Sequence, residues 1–190
     1  MPLTNARYHA KNPDWMIAGQ PSGMYREAFP RRSISVDAAA ALTTQIMTAV
    51  AVVLEAGDVV TNITFKSGAT AAGTPTNWWF ALYDTAATPN LLFQTADQTS
   101  GAWAANTAKT LPLSTAVTIS APGVYYVACM VKATTVPSLI GYTGFAGGNG
   151  GVLTNDKSLS LTSGSSLTTT APATLATPTA VATVPYCVLT

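Results

Sequence analysis

The sequence predicts an all-β protein, an antiparallel β-sandwich of jelly-roll-like form preceded by an extended N-terminal arm. From residue 36 onward, short β-branched and aromatic runs alternate with turn residues at the spacing of a sandwich, not of βαβ units. Hydrophobic residues make up 48% of the 190 residues, enough for one domain with a substantial core. Residues 12–33, within the arm, show neither a helical nor a strand period.

The predicted arm, residues 1–35, is interrupted by four prolines and two glycines and is basic. Residues 1–36 hold five of the nine Lys and Arg residues against two of the eight acidic residues, and they hold every arginine. The planar guanidinium of arginine suits protein interfaces, and aromatic side chains fill interface pockets. We therefore expect the arm to bind neighbouring subunits through Arg7, Tyr8, Trp15, Tyr25, Arg26, Phe29, Arg31 and Arg32.

Residues 36–190 form the predicted sandwich domain. Two β-branched runs within residues 45–68 are joined by the turn sequence Glu55-Ala-Gly-Asp58 and predict a hairpin. Residues 38–45 alone fit the start of a short helix. Further strands are predicted, in chain order, within residues 77–85, 90–96, 109–120, 123–133, 138–145 and 182–190.

Two of these strands, residues 46–54 and 124–131, are apolar on both faces. An antiparallel sheet that faces water should alternate apolar and polar residues, so something must cover the outer face. A neighbouring subunit and the chain's own loops are equally good explanations. Residues 147–151 predict a flexible loop, and the Ser/Thr/Ala-rich residues 158–180 predict a long surface excursion with one weak strand.

Neither catalytic nor metal chemistry is predicted. His9 is the only histidine, so the sequence has no His/Cys cluster of the zinc-binding kind, and we expect no enzyme activity and no cofactor. Asp58 shares a turn with Glu55, and its predicted role is to form that turn. Cys129 and Cys187 lie in apolar runs, which favours buried free thiols over a disulfide.

The tryptophans raise the question of glycan binding. Trp78 and Trp79 are neighbours on a predicted strand, so they point to opposite faces, and one of them is expected in the core. Trp79, Trp103 and Tyr142 would then offer exposed aromatic surfaces on which a host surface glycan stacks. Core packing or contact with a partner subunit is the alternative role for these side chains.

Several segments occur in a recognisable order: "AGDVVTNITF", "NWWFALYD", "NLLFQTAD", "LPLSTAVTISAPGVYYVACMV" and "VPSLIG". In this order they resemble β-sandwich domains in structural proteins of tailed bacteriophages, including minor tail, fibre and head-associated proteins, especially in phages of actinobacteria. The resemblance covers residues 36–190 and leaves the arm outside. It implies a virion protein assembled in the host bacterial cytoplasm, as a homo-oligomer such as a trimer or as an accessory subunit on a larger lattice.

The expected function is therefore that of a non-enzymatic virion protein, a capsid decoration or head-associated protein whose arm anchors it to capsid or other virion subunits and stabilises the particle. The alternative is a minor tail or tail-tip protein whose sandwich binds a receptor or glycan. We expect no nucleic-acid partner, because the arm has a low charge density and no folded basic face accompanies it. We also expect no membrane segment, because the one long apolar stretch, residues 38–54, contains several polar residues.

Overall fold

The computed structural model describes residues 24–38, 42–144, 151 and 153–190. These residues form thirteen β-strands, a 3₁₀ turn at Arg31–Ser33 and no α-helix, which confirms the predicted all-β antiparallel class. The strands are β1 (Arg26–Glu27), β2 (Val36–Ala38), β3 (Met47–Leu54), β4 (Val59–Lys66), β5 (Asn77–Tyr83), β6 (Leu91–Gln94), β7 (Ala108–Thr118), β8 (Gly123–Lys132), β9 (Leu139–Thr143), β10 (Ser160–Ser163), β11 (Thr179–Ala180), β12 (Thr183–Pro185) and β13 (Cys187–Leu189).

The strands form three antiparallel sheets. Sheet I has the order β1-β13-β4-β7, sheet II the order β11-β10-β3-β8-β5-β6, and sheet III the order β12-β9-β2. The pairs β3–β8, β4–β7 and β5–β6 are nested, so the first of six consecutive strands pairs with the sixth, the second with the fifth and the third with the fourth. A bridge between Thr95 and Leu113 links the β6 edge of sheet II to β7 of sheet I.

The main core lies between sheets I and II. The rings of Phe65 in β4 and Phe80 in β5 meet with their centroids 4.9 Å apart, and apolar side chains of β3, β7, β8 and β13 complete the same cluster. Cys129 and Cys187 are fully buried in this cluster as free thiols, which confirms the interpretation favoured from the sequence. Burial raises the pKa of both thiols, so the core holds them in the neutral form.

A second apolar cluster covers the outer face of sheet II. Trp79 and Tyr83 of β5 lie in this cluster, with Met130 of β8 and Met47 of β3. Residues 164–178, which we call the cover segment, place Leu175 and neighbouring apolar side chains over that face. The cover segment is also hydrogen-bonded to the sheet, because Trp79 Nε1 donates to the Thr168 carbonyl at 2.7 Å and the Tyr83 hydroxyl donates to the Pro172 carbonyl at 2.9 Å. The doubly apolar strands are therefore covered by their own chain, and they no longer argue for a neighbouring subunit.

Local structure departs from prediction at three places. Residues 42–46 form a turn closed by a Thr43–Ile46 bridge, and Gln45 adopts a left-handed φ of 61°, which ends any helix there. The predicted terminal strand divides into β12 and β13 because the chain leaves β9 of sheet III and joins β4 of sheet I. Residues 158–180 contain two strands, β10 and β11, where one was predicted. The predicted loop 147–151 lies outside the described residues except for Gly151.

The Leu175→Ala substitution tests the importance of the cover segment. Leu175 is 0% exposed, so its truncation removes apolar contacts and leaves a cavity over sheet II. We expect the free energy of unfolding to fall by about 2–5 kcal/mol, measured by urea denaturation. Leu153→Ala is the matched control, since Leu153 is 74% exposed. Equal, small effects of the two substitutions would show that the cover segment does not stabilise the fold.

Alkaline pH should destabilise the protein. Burial raises the pKa of the Tyr83 and Tyr126 hydroxyls, as it does for the two thiols. A raised pKa means that the folded state holds the proton more tightly than the unfolded state does. The contribution of each such group to the free energy of unfolding is therefore complete below its unfolded pKa, and it is lost progressively as the pH rises toward the folded pKa. We expect a constant melting temperature up to about pH 8, a decline as unfolded cysteines ionise, and a steeper decline above about pH 10. Melting curves in reducing buffer measure this, and a melting temperature that stays flat up to about pH 11 would contradict it.

Candidate interaction site at the N-terminal segment

The last part of the predicted arm is docked on the domain. Strand β1 pairs with β13, with Arg26 opposite Leu189 and Glu27 opposite Val188. The Ala28 amide continues this ladder by donating to the Cys187 carbonyl at 3.1 Å. We call residues 24–29 the strap. The last residues of the predicted arm thus supply β1, the edge strand of sheet I.

An ion pair holds the strap at one point. Arg26 Nη2 lies 2.7 Å from Asp58 Oδ1, and the two side chains are 12% and 7% exposed. The other carboxylate oxygen of Asp58 accepts the Glu55 amide at 2.9 Å, so Asp58 forms the predicted turn and also binds the strap. Because both charges are largely removed from water, each depends on the other for compensation. The turn role of Asp58 was predicted from the sequence, but its ion-pair partner, which lies 32 residues away, was not.

Glu27 holds the strap at a second point. Its Oε1 accepts the Tyr186 hydroxyl at 2.8 Å, the Tyr25 hydroxyl at 3.2 Å and Arg31 Nε at 2.7 Å. Burial, followed by the hydrogen bond to Glu27, raises the pKa of Tyr186, so this hydroxyl stays a donor. Glu27 was not among the predicted residues. The only signal in the sequence was its spacing of four residues from Arg31, which suits a carboxylate–guanidinium pair.

Phe29 holds the strap at a third point. Its ring packs edge-on against Tyr142, with centroids 4.9 Å apart, and against Tyr186, with centroids 5.5 Å apart. Edge-to-face contacts of this kind add to the free energy gained from burying the rings. Tyr142 was predicted to bind glycan, and the structure places it against the strap. We call Asp58, Tyr142, Tyr186 and the edge of β13 the strap site.

The predicted partner-binding residues divide into three groups. Tyr25, Arg26 and Phe29 contact their own domain and are partly buried, and their binding to another subunit stays a prediction. Arg31 and Arg32 lie on the exposed 3₁₀ turn. The remaining predicted arm residues, Arg7, Tyr8 and Trp15, lie outside the described residues.

The predicted exposure of two tryptophans is also wrong. Trp79 is 0% exposed beneath the cover segment, and Trp103 is 1% exposed in the main core. Trp103 packs on Trp78 with ring centroids 5.1 Å apart, and its Nε1 donates to the Thr107 carbonyl. Trp78 and Trp79 do point to opposite faces as predicted, but both faces are buried. These indoles therefore present no face on which a glycan could stack.

The strap site has the chemistry of binding. Four kinds of contact fix one segment of chain in one register. They are a desolvated ion pair, a carboxylate that accepts several hydrogen bonds, edge-on aromatic rings and a two-residue strand. In residues 24–38, 42–144, 151 and 153–190, no three His, Cys, Asp or Glu side chains group as a metal site would require. No helix in the described part of the chain is long and apolar enough to span a membrane.

Compared with models of known protein families and with curated proteins, the chain shows no match.

Arg26→Met tests the ion pair that holds the strap. The substitution keeps the aliphatic length but leaves the Asp58 carboxylate without the guanidinium, and the carboxylate regains water when the strap detaches. We expect the Ala28 amide to exchange its hydrogen at least about tenfold faster, measured by hydrogen–deuterium exchange. Arg32→Met is the matched control, because Arg32 is exposed on the 3₁₀ turn. Unchanged exchange at Ala28 in the Arg26→Met chain would mean that the ion pair does not hold the strap.

Proposed function

We propose that this chain is a non-enzymatic structural protein of a tailed-bacteriophage virion, a capsid decoration or head-associated protein anchored through its N-terminal segment. Its partners are then neighbouring virion proteins, with homo-oligomerisation on the particle. A jelly-roll-like β-sandwich displays or braces the surface, and residues 1–23 bind the neighbour.

The docked strap is the observation that carries this proposal. It fixes the chain at the edge of sheet I from Met24 onward, through Arg26 and Asp58 at one end and Phe29 at the other. Arg7, Tyr8 and Trp15 precede that fixed point in the chain. A neighbour that binds those residues is therefore connected to sheet I through an ion pair and a strand ladder. Such a connection suits a subunit that stabilises a particle.

The fold supports the same proposal. The nested pairing of β3 to β8 is the pattern expected when one long hairpin is wrapped into a jelly roll. The segments that resemble phage structural proteins fall on β4 to β9, and large side chains of these strands pack into the two clusters. The resemblance therefore rests on residues that build the sandwich and present its surface.

The surface supports an assembly role as well. The outer face of sheet I carries hydroxyl and amide side chains, such as Asn62, Thr64 and Thr110, and the last two are hydrogen-bonded to each other at 2.8 Å. Only 9% of the residues are charged, and the formal net charge is +1. A protein with a charge close to zero meets little electrostatic repulsion when copies are placed side by side.

Deleting residues 1–23 tests the anchoring. The strap remains in this deletion, so we expect a folded domain with an unchanged melting temperature that no longer joins the particle. Deletion of residues 1–33 is the comparison, because it also removes β1 and the partner of Asp58, and it should lower the melting temperature. Occupancy on purified particles is measured by quantitative mass spectrometry. Wild-type occupancy of the chain that lacks residues 1–23 would contradict the anchoring role.

The virion assignment itself is tested on purified particles. We expect peptides of this chain in particles purified on a density gradient, in a fixed ratio to the major capsid protein, and antibody-bound gold over the head in electron micrographs. Gold over the tail tip would move the chain to the tail-protein alternative. Absence of the chain from purified particles would reject a virion role.

A further inference from the structure

We propose that the strap exchanges between copies of this chain, so that residues 24–29 of one copy occupy the strap site of a neighbouring copy. The partner is a second copy of the same chain, and the contacts are those already seen within one chain. The inference rests on the proposed function only for the close spacing of copies on a particle. Its test uses the purified chain in solution.

The contacts that hold the strap are independent of chain connectivity. Arg26 and Asp58 are 32 residues apart, and Glu27 and Tyr186 are 159 residues apart. Strand β1 pairs with β13 at the opposite end of the sequence. An identical strap supplied by another copy would make each of these contacts with the same geometry.

An empty strap site is unfavourable. Without the strap, the Asp58 carboxylate loses the guanidinium 2.7 Å away, and β13 presents an unpaired edge. The ring of Tyr142 loses its contact with Phe29, and the Tyr186 hydroxyl loses its acceptor. Occupation of the strap site therefore lowers the free energy of the protein. A segment with the sequence Arg-Glu-Ala-Phe supplies the groups that the site contacts. The strap of a second copy provides that segment.

The connector between the strap and the rest of the domain permits exchange. Residues 30–35 contain the 3₁₀ turn, and all but Ile34 are exposed. In this segment the Ser33 and Ile34 amides bond within the turn, the Ser35 amide bonds to the Gly141 carbonyl, and Arg31 bonds to Glu27. Opening the turn costs few contacts, and six extended residues reach about 20 Å. Copies whose strap sites come within that distance can exchange.

Local concentration decides between the two arrangements. Because the strap makes the same contacts in both, occupation by the chain's own strap is favoured mainly by the tether, which acts like a concentration of about millimolar. A neighbouring copy held on a lattice supplies its strap at a comparable concentration. Exchange therefore becomes populated when copies are packed together, and it links them without requiring a new surface.

Charge reversal provides the test in solution. One full-length chain carries Arg26→Glu, which places a second carboxylate beside Asp58, and another carries Asp58→Lys. Neither chain can form the ion pair with its own strap, but an exchanged heterodimer forms it at both sites. We expect native mass spectrometry of the mixture to show the heterodimer in about tenfold excess over either homodimer, since like-charge contacts disfavour the homodimers. The chain with both substitutions restores the pair internally and should be folded and monomeric.

Failure of the mixture to associate, when the doubly substituted chain is folded and monomeric, would overturn the proposal. The Asp58→Lys chain by itself could be unfolded. In that case, folding of this chain when the Arg26→Glu chain is added supports exchange, whereas a chain that stays unfolded in the mixture contradicts exchange.

A second measurement avoids charge reversal. Position 28 is opposite Cys187 in the ladder, so Ala28→Cys places two thiols side by side. Oxidation by diamide joins them in one S–S bond while the diamide takes up the two hydrogens. Isotopically heavy and light forms of the Ala28→Cys chain are mixed and oxidised over a range of concentrations up to about millimolar.

Mass spectrometry of the cross-linked peptide then separates the two arrangements. Exchange predicts peptides that join one heavy and one light segment, in a fraction that rises with protein concentration. The Ala28→Cys/Cys187→Ser chain is the control that should give no such peptide. Peptides of a single isotope at every concentration would overturn the proposal. Exchange in solution by a chain that is absent from virions would leave this inference standing and reject the proposed function.

Discussion

Sheet II carries large apolar side chains on both of its faces, and the rest of the fold follows from the need to bury both. Strands β5 and β8 place Phe80 and Val127 toward sheet I and Trp79 and Ala128 toward the opposite side. One partner sheet can cover only one of these faces. The other is covered by the cover segment, a stretch rich in Ser, Thr and Ala whose backbone carbonyls accept hydrogen bonds from Trp79 and Tyr83. Burial of both faces explains how a chain with so few charges folds without exposing a large apolar surface.

Sheet I has the complementary problem of an exposed edge. Strand β13 would be an edge strand with free backbone groups next to the buried carboxylate of Asp58. The strap pairs the free edge and compensates the buried charge, because β1 pairs with β13 and Arg26 forms an ion pair with Asp58. Part of the basic N-terminal segment is therefore bound to its own domain. This changes which residues are available for anchoring, since Arg26 and Phe29 are already bound.

The strands could be predicted from the sequence, but the segments that cover them could not. The strands within residues 45–68 and 123–133 were predicted from their β-branched and aromatic runs. The apolar residues on both faces of 46–54 and 124–131 showed that a cover was required. The identity of the cover could not be predicted, since Leu167 and Leu175 are isolated apolar residues in a polar stretch with no period. The strap was missed for the same reason, because a two-residue strand has no periodicity to detect. Trp103 was misjudged because its small neighbours resemble a surface loop, whereas its indole packs on Trp78.

The cover segment and the strap are both irregular segments that are held by side chains of the sheets, yet they differ in how they are tethered. The cover segment lies between β10 and β11, which are paired with each other, so it cannot leave without disrupting the edge of sheet II. The strap joins the described sheets through residues 30–35 alone, and its release opens the outer edge of sheet I and the part of the main core against which Met24, Ala28 and Phe29 pack. Local opening is therefore less costly at the strap than at the cover segment. Of the two segments, the strap is the one that can move between copies, because the strap of another copy restores the same contacts.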